Sequence, residues 1–215
     1  MYVAIDVETE NTGCDVMKDN KRIISIQIGD DTKQELYYAD SQKRQYTLSE
    51  AKSRIAFLLS QGCTFVGYNI KGFDIPILKQ FLDIKIPESN IFDLFQTPKV
   101  VELKSKKKFK LEDICMACGI EANHKRKMNE KADKYKDRQD IKDQACAKAK
   151  DIAKRKGGTL DFAYHEALDK IARGTAIIDA YVEFVESGGQ KTTLFYEYAV
   201  GDIISEYKLF EKLVG

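Results

Sequence analysis

Carboxylates recur at three separated places in this chain. Asp6-Val7-Glu8 ends the first apolar run, Asn69-x-x-x-Phe73-Asp74 lies near the middle, and Tyr198-x-x-x-Asp202 falls in the last stretch. Side chains two apart on a strand share a face, so Asp6 and Glu8 project together if the strand reaches that far. Adjacent anions repel unless a cation lies between them. Such a pair is costly as structure but apt for Mg²⁺, which takes a few carboxylates together with water and phosphate oxygens. Four carboxylates, with a phenol one helical turn before the last, suit two-metal cleavage of a phosphodiester.

Each motif also has a plainer reading. Asp74 could be the N-cap of a following helix with Pro76 in its first turn, a role that leaves metal binding open. Tyr198 and Asp202 share a helix face, as a packing tyrosine and a surface aspartate would. Lys104, Lys106, Lys107, Lys108 and Lys110 put five lysines into seven residues around Phe109. Lysines neutralise phosphates without reading sequence and an aromatic ring stacks on a base, so the segment is a candidate substrate guide. The alternative is a solvated loop. Cys115-x-x-Cys118 has zinc-like spacing, with His124 and Cys146 as nominal partners. Both cysteines fall on an apolar-patterned helix, however, and no second CxxC or HxxxH pair exists.

The elements that must position these groups follow from periodicity. Tyr2–Asp6 reads as a buried strand. Arg22–Gly29 alternates, with Ile24, Ile26 and Ile28 on one face and Ser25 and Gln27 on the other; Glu35–Ala39 forms a third strand. Thr47-x-x-Glu50 has the form of a capping box before Leu48, Ala51, Ile55 and Leu58 at helical spacing. Cys63–Val66 suits a strand parallel to the first, followed by a helix over 75–82. Lys104–Lys110 reads as an exposed loop, and Leu111–Gly119 as a helix with Gly119 as C-cap. Residues 121–155 are charged and alanine-rich, Gly157-Gly158 breaks them, and helices follow over Asp161–Arg173 and Ala176–Glu186. A last helix over 192–214 buries Val200, Ile203, Tyr207, Phe210 and Val214. This predicts one α/β domain over 1–215, with 121–186 as a helical insertion whose first half holds too few apolar residues for a core.

The chain has 215 residues, 43% of them apolar, enough for one core, and no apolar run approaches the roughly 20 residues of a membrane span. No secretory leader is read at Tyr2-Val3-Ala4-Ile5. Five cysteines at scattered spacings predict a reducing cytoplasm rather than a disulfide framework. Net charge is +1, but 19 Lys and Arg face 10 Asp and Glu between Lys99 and Lys156. A basic segment on an otherwise acidic chain suits a metal-dependent enzyme acting on a polyanion; a lysine-rich solvated surface is the alternative.

The order of three strands, helix, strand, helix, with acids at strand ends, is that of the ribonuclease-H-like (DnaQ-like) mixed sheet flanked by helices. The chain resembles the DEDD superfamily of 3′–5′ exonucleases, tyrosine subclass. Gly67-Tyr68-Asn69-Ile70-Lys71-Gly72-Phe73-Asp74-Ile75-Pro76 is especially similar to the second exonuclease motif of family B DNA polymerases. Phe92-Asp93-Leu94 and Lys110-Leu111-Glu112-Asp113-Ile114 to Ile120 resemble the corresponding region, while 121–186 finds no counterpart. The resemblance implies that Asp6 bridges two divalent ions, Mg²⁺ or Mn²⁺. Glu8 and Asp202 would complete the nucleophile's ion, Asp74 would serve the second, and Tyr198 would orient the attacking water. Asn69 and Phe73 would position Asp74 and the terminal nucleotides. It further implies a stand-alone enzyme acting on single-stranded DNA or RNA 3′ ends, of the kind used in proofreading and repair. The subclass that replaces Tyr with His needs it five residues before the last Asp, where Glu197 stands, and neither His124 nor His165 is near in sequence. The rival readings are a catalytically idle nucleic-acid-binding module or polymerase-associated subunit on the same fold, and a ribonuclease-H-type endonuclease, which would lack Tyr-x-x-x-Asp.

Overall fold

The short apolar runs become strands β1 (Tyr2–Thr9), β2 (Ile23–Gly29), β3 (Gln34–Tyr38), β4 (Thr64–Gly67) and β5 (Ile91–Asp93). They form one mixed sheet in the order β3-β2-β1-β4-β5. The first three run antiparallel, and β4 and β5 continue parallel to β1. Helices α1 (Arg44–Ser60), α2 (Asp74–Leu82), α3 (Pro98–Ser105), α4 (Leu111–Ala117), α5 (His124–Asp133), α6 (Gln139–Lys156), α7 (Leu160–Glu186) and α8 (Leu194–Val214) complete the described elements. The structure is a computed structural model that describes residues 1–10, 22–39, 44–106, 110–156 and 158–214. Lys107, Lys108, Phe109 and Gly157 lie outside the described residues. The mixed sheet with its helices is the expected ribonuclease-H-like α/β fold.

Two compact units divide the chain. One comprises Met1–Thr9, Arg22–His124 and Tyr196–Gly215; the other comprises Lys125–Phe195 with Glu10. In the first, β2 is buried along its whole length, so its Ser25 and Gln27 face is not the solvent face that alternation suggests. β1 continues past Asp6 to Thr9, and its ladder with β2 shifts register between Glu8 and Thr9. Three residues are too few to show a period, which is why β5 has no signature of its own. A core of Val66, Leu94, Val100, Leu103, Leu111, Ile114, Cys115, Leu209 and Phe210 holds α3, α4 and α8 against β4. At about 1.5–3 kcal/mol per large side chain buried, such packing outweighs local propensity.

That balance explains the departures from local signals. Helix α1 starts at Arg44, so Thr47 and Glu50 lie inside it and form no capping box; a cap contributes only about 1 kcal/mol, less than burying Ala51, Ile55 and Leu58. The exposed loop expected from Lys104 instead begins as helix, since α3 runs through Ser105 on its buried Val100 and Leu103. Gly119 does end the turn after α4, at φ 75°. The last helix starts at Leu194, and its stripe fails at the far end, where Val214 is exposed.

The second unit corrects the expectation of a coreless first half. Ile141, Ala145, Ala149 and Ile152 of α6 pack with Ala163, Ala167, Leu168, Ile171 and Ala172 of α7. Alanine at four-residue spacing is easily mistaken for a neutral filler, yet it lets two helices approach closely. Helix α7 is continuous where a break at 174–175 is expected: Gly174 is buried, and Thr175 Oγ1 donates back to the Ile171 carbonyl at 2.9 Å. Thr159 caps it, accepting from Phe162 N–H.

Candidate active site

Because β1 runs on to Thr9, Asp6 and Glu8 share one of its faces. Opposite them across the antiparallel ladder lie Gln27 and Ser25. Directly opposed residues share a face, so the polar side of β2 lies beside the carboxylates. There Gln27 Nε2 donates to Ser25 Oγ at 2.6 Å.

On its other side β1 pairs with β4 only as far as Ala4 with Val66. Beyond that point a carboxylate replaces the missing strand: Val7 N–H donates to Asp74 Oδ1 at 3.0 Å. Asp74 is the first residue of α2 rather than its N-cap, which is Phe73 and makes no side-chain cap bond. The side chain that could have capped the helix turns back onto β1 and is 4% exposed.

The loop between β4 and α2 is shaped to allow this. Asn69 has a left-handed φ of 63°, a conformation Asn tolerates better than most residues. Its carbonyl accepts from Gly72 and Phe73 N–H. A Cβ on Gly72 would come within 2.5 Å of Asn69 Oδ1, so glycine lets the chain fold over that side chain without displacing its amide. Asp93, at the end of β5, accepts from the N–H groups of Asn69, Lys71 and Phe95 and fixes the loop from below.

Helix α8 supplies the opposite wall. Tyr198 and Asp202 are 8% and 5% exposed, on one face. Oxygen atoms of Asp6, Glu8 and Asp202 lie within 4.8 Å of one another. Burial, and next the Asp6 charge, hold the Asp74 carboxyl well above the ordinary carboxylate range. The structure therefore gathers the acids of all three motifs around one place.

Two residues join them that the motifs do not contain. Glu206, a turn beyond Asp202, is 4% exposed. Its Oε1 accepts from Tyr68 N–H at 3.0 Å, while Oε2 is buried with no hydrogen-bond partner among the described residues. Burial, then Asp6 and Asp74, push its carboxyl well above the usual range. His124 comes from the start of α5, and its Nε2 lies 3.0 Å from Asp202 Oδ1. A histidine near the last aspartate in space is thus present even though none is near in sequence. The i+4 spacing of Glu206 from Asp202 was a legible cue; nothing local marked His124.

The lysines behave differently. Lys104 Nζ sits 3.2 Å from the centroid of the Phe95 ring. Lys106 pairs with Glu102 at 2.7 Å, and Lys110 is exposed. Cys115 is buried in the core, and no group containing Cys115 or Cys118 gathers as a metal site among the described residues.

An all-oxygen set of carboxylates fits a hard divalent cation. Burial first, and then the neighbouring carboxylates, push Asp74 and Glu206 toward their protonated forms, and a cation among these acids would favour the ionised ones. No helix is long and apolar enough to cross a membrane among the described residues. Comparison with curated proteins returns no match, and comparison with solved structures returns none either. A family model described as 3′–5′ exonuclease matches residues 1–150. The match takes in Asp6, Glu8, Asn69, Phe73 and Asp74, enters the 121–186 segment, and ends before Tyr198 and Asp202. With most of its length matched, on a ribonuclease-H-like fold whose sheet gathers carboxylates, the chain belongs to the 3′–5′ exonuclease family, metal-dependent hydrolases of nucleic acid.

Proposed function

We propose that this exonuclease works as a stand-alone enzyme of the tyrosine subclass, trimming single-stranded DNA or RNA from the 3′ end. Asp6, Glu8, Asp74 and Asp202 would hold two divalent ions, Mg²⁺ or Mn²⁺. The observation that carries this is the approach of Asp6, Glu8 and Asp202 oxygens to within 4.8 Å from β1 and α8. Bound cations supply charge neutralisation and polarise the scissile phosphate and the attacking water.

The chain's own groups divide the remaining work. Asp6, Glu8 and Asp202 would hold the nucleophile's ion, and Asp6 with Asp74 would hold the second. Tyr198, one turn before Asp202, orients the water through its phenol. Asn69 and Phe73 hold the loop that presents Asp74 and contact the terminal nucleotides. Water oxygen bonds to phosphorus, the bond from phosphorus to the 3′-oxygen breaks, and that oxygen takes up a proton. Each cycle releases a nucleoside 5′-monophosphate.

Lys104, Lys106, Lys107, Lys108 and Lys110 are proposed to guide the strand, a role supported by the exposure of Lys106 and Lys110. Residues 121–186 are read as an insertion within one exonuclease domain. The scattered cysteines support a reducing cytoplasm, and the activity suits proofreading or repair.

End-labelled single- and double-stranded DNA and RNA oligonucleotides, incubated with Mg²⁺, Mn²⁺ or EDTA, test the reading. A ladder shortening from the 3′ end of single strands, absent in EDTA, is expected. Intact ends in every metal would leave only an idle binding module on this fold. Neutralising the five lysines should lower affinity and flatten its salt dependence, by about 0.7 in log–log slope for each phosphate no longer neutralised. An unchanged slope removes them from the substrate path.

A further inference from the structure

Helix α8 carries a glycine, Gly201, at an interior position next to Asp202. Glycine is among the poorest residues for a helix interior, so a packing reason is expected. The reason is His124. A Cβ at position 201 would fall 2.3 Å from His124 Cγ, 2.5 Å from its Cβ and 2.7 Å from its Cδ2. These atoms are the root of the side chain and its ring, not a flexible tip, so no rotamer change of a distal group relieves the clash.

Seated in this notch, the imidazole is nearly enclosed. The side chains of His124 and Asp202 are 11% and 7% exposed. The ring centroid is 6.5 Å from that of Tyr198. A carboxylate only accepts hydrogen bonds, so the 3.0 Å contact to Asp202 Oδ1 places a proton on His124 Nε2. Ligating carboxylates need such outer partners to hold their orientation, and losing one typically costs about 10–100-fold in metal affinity or activity.

We propose that His124 is a positioning residue that aims the Asp202 carboxylate into the metal site, and that Gly201 is glycine to admit its ring. The inference rests on the reading of Asp202 as a metal ligand. It adds to that reading a histidine outside the three motifs and a glycine at an unspecified position of the third. The ring acts on Asp202 and not on substrate.

A four-protein cycle in this 215-residue chain tests it: wild type, His124→Ala, Gly201→Ala and the double variant. Mn²⁺ titration calorimetry of the metal-free proteins and thermal melts in EDTA are the two readouts. His124→Ala should weaken Mn²⁺ binding about 10–100-fold. Gly201→Ala should lower the melting temperature and weaken Mn²⁺ binding, because the ring is driven out. In the double variant the space left by the ring accepts the new methyl. Its melting temperature should return to that of His124→Ala or above, while Mn²⁺ affinity stays at the His124→Ala level. His124→Gln, whose amide N–H reaches a similar point, should restore much of the affinity.

Wild-type Mn²⁺ affinity in His124→Ala overturns the positioning role. A double variant no more stable than Gly201→Ala overturns the notch. No recovery of affinity in His124→Gln, with its fold intact by melting, also counts against a hydrogen-bonding role. Asp202→Ala run alongside separates this from failure of the parent reading: if that variant binds Mn²⁺ normally, Asp202 is no ligand, and the melting cycle still judges the notch.

Discussion

Asp74 and Glu206, in the first unit, are held above the ordinary carboxylate range by burial and by one another's charged neighbours. Asp179, in the second, is held below it by hydrogen bonds from Lys131 and Tyr135, and Asp140 by one from Arg138. The residue types are the same and the directions opposite. Acids set beside cations are satisfied within the chain, and their pairs lie toward solvent: Asp179 and Glu183 are about half exposed where they meet Lys131. Acids buried beside acids are instead pushed toward the protonated form, and a cation from outside would favour their charged form. Burial together with like charge, more than acidity, separates a site from an ion-paired surface.

Removing a carboxylate of the cluster should produce the largest effect. Asp6→Ala or Asp202→Ala is expected to abolish cleavage of a labelled oligonucleotide, while melting of the metal-free protein is unchanged or slightly higher because repulsion falls. Near-normal cleavage with Mg²⁺ in either variant would break the comparison at its centre. Tyr198→Phe keeps the ring and loses the hydroxyl, so single-turnover cleavage should slow roughly 10–1000-fold with Mn²⁺ binding retained. Unchanged kinetics would leave Tyr198 as a packing residue.

The third effect is on stability and has a sign. A carboxyl raised in the folded state contributes stability that is full below its unfolded value, about pH 4, and lost as pH rises through the folded value. The melting temperature in EDTA should therefore fall as pH rises above about 4, and Mg²⁺ should flatten the fall by favouring the ionised cluster. Glu206→Gln keeps an acceptor for Tyr68 N–H and removes the charge, so it should flatten the EDTA profile without metal. An equally steep profile in that variant would take Glu206 out of the cluster. The smallest effect belongs to the other region. Lys131→Ala should cost about 0–1 kcal/mol by denaturant melting. The Asp179 contribution, from a lowered carboxyl, is present above its unfolded value and fades as pH falls. A loss of several kcal/mol would show that the surface pairs matter as much as the buried site.

The sheet was largely legible because strands announce themselves by period, as Arg22–Gly29 does. Acids at strand ends were legible because Asp6, Glu8 and Asp74 stand at fixed short spacings. What escaped has no local signature. Asp202 and His124 meet across 78 positions, and Gly201 looks like a helix defect until the ring against it is seen. The alanines of α6 carry a core by smallness, a property that hydrophobic periodicity weighs lightly. The hidden polar face of β2 is the reverse case: its alternation was correct, but both faces are covered.

The hydrogen bond from Tyr68 N–H to Glu206 spans 138 positions, an interval that contains the Lys125–Phe195 stretch of the second unit. Chains emerge from synthesis N-terminus first, and pairings so distant in sequence must wait for the later partner. Strands β1 to β5 exist on a nascent chain long before residues 198–206 do. Until those residues dock, Asp6 and Glu8 lack the Asp202 carboxylate beside them. Assembly of the carboxylate cluster is thus a late event, set by the order in which its segments emerge.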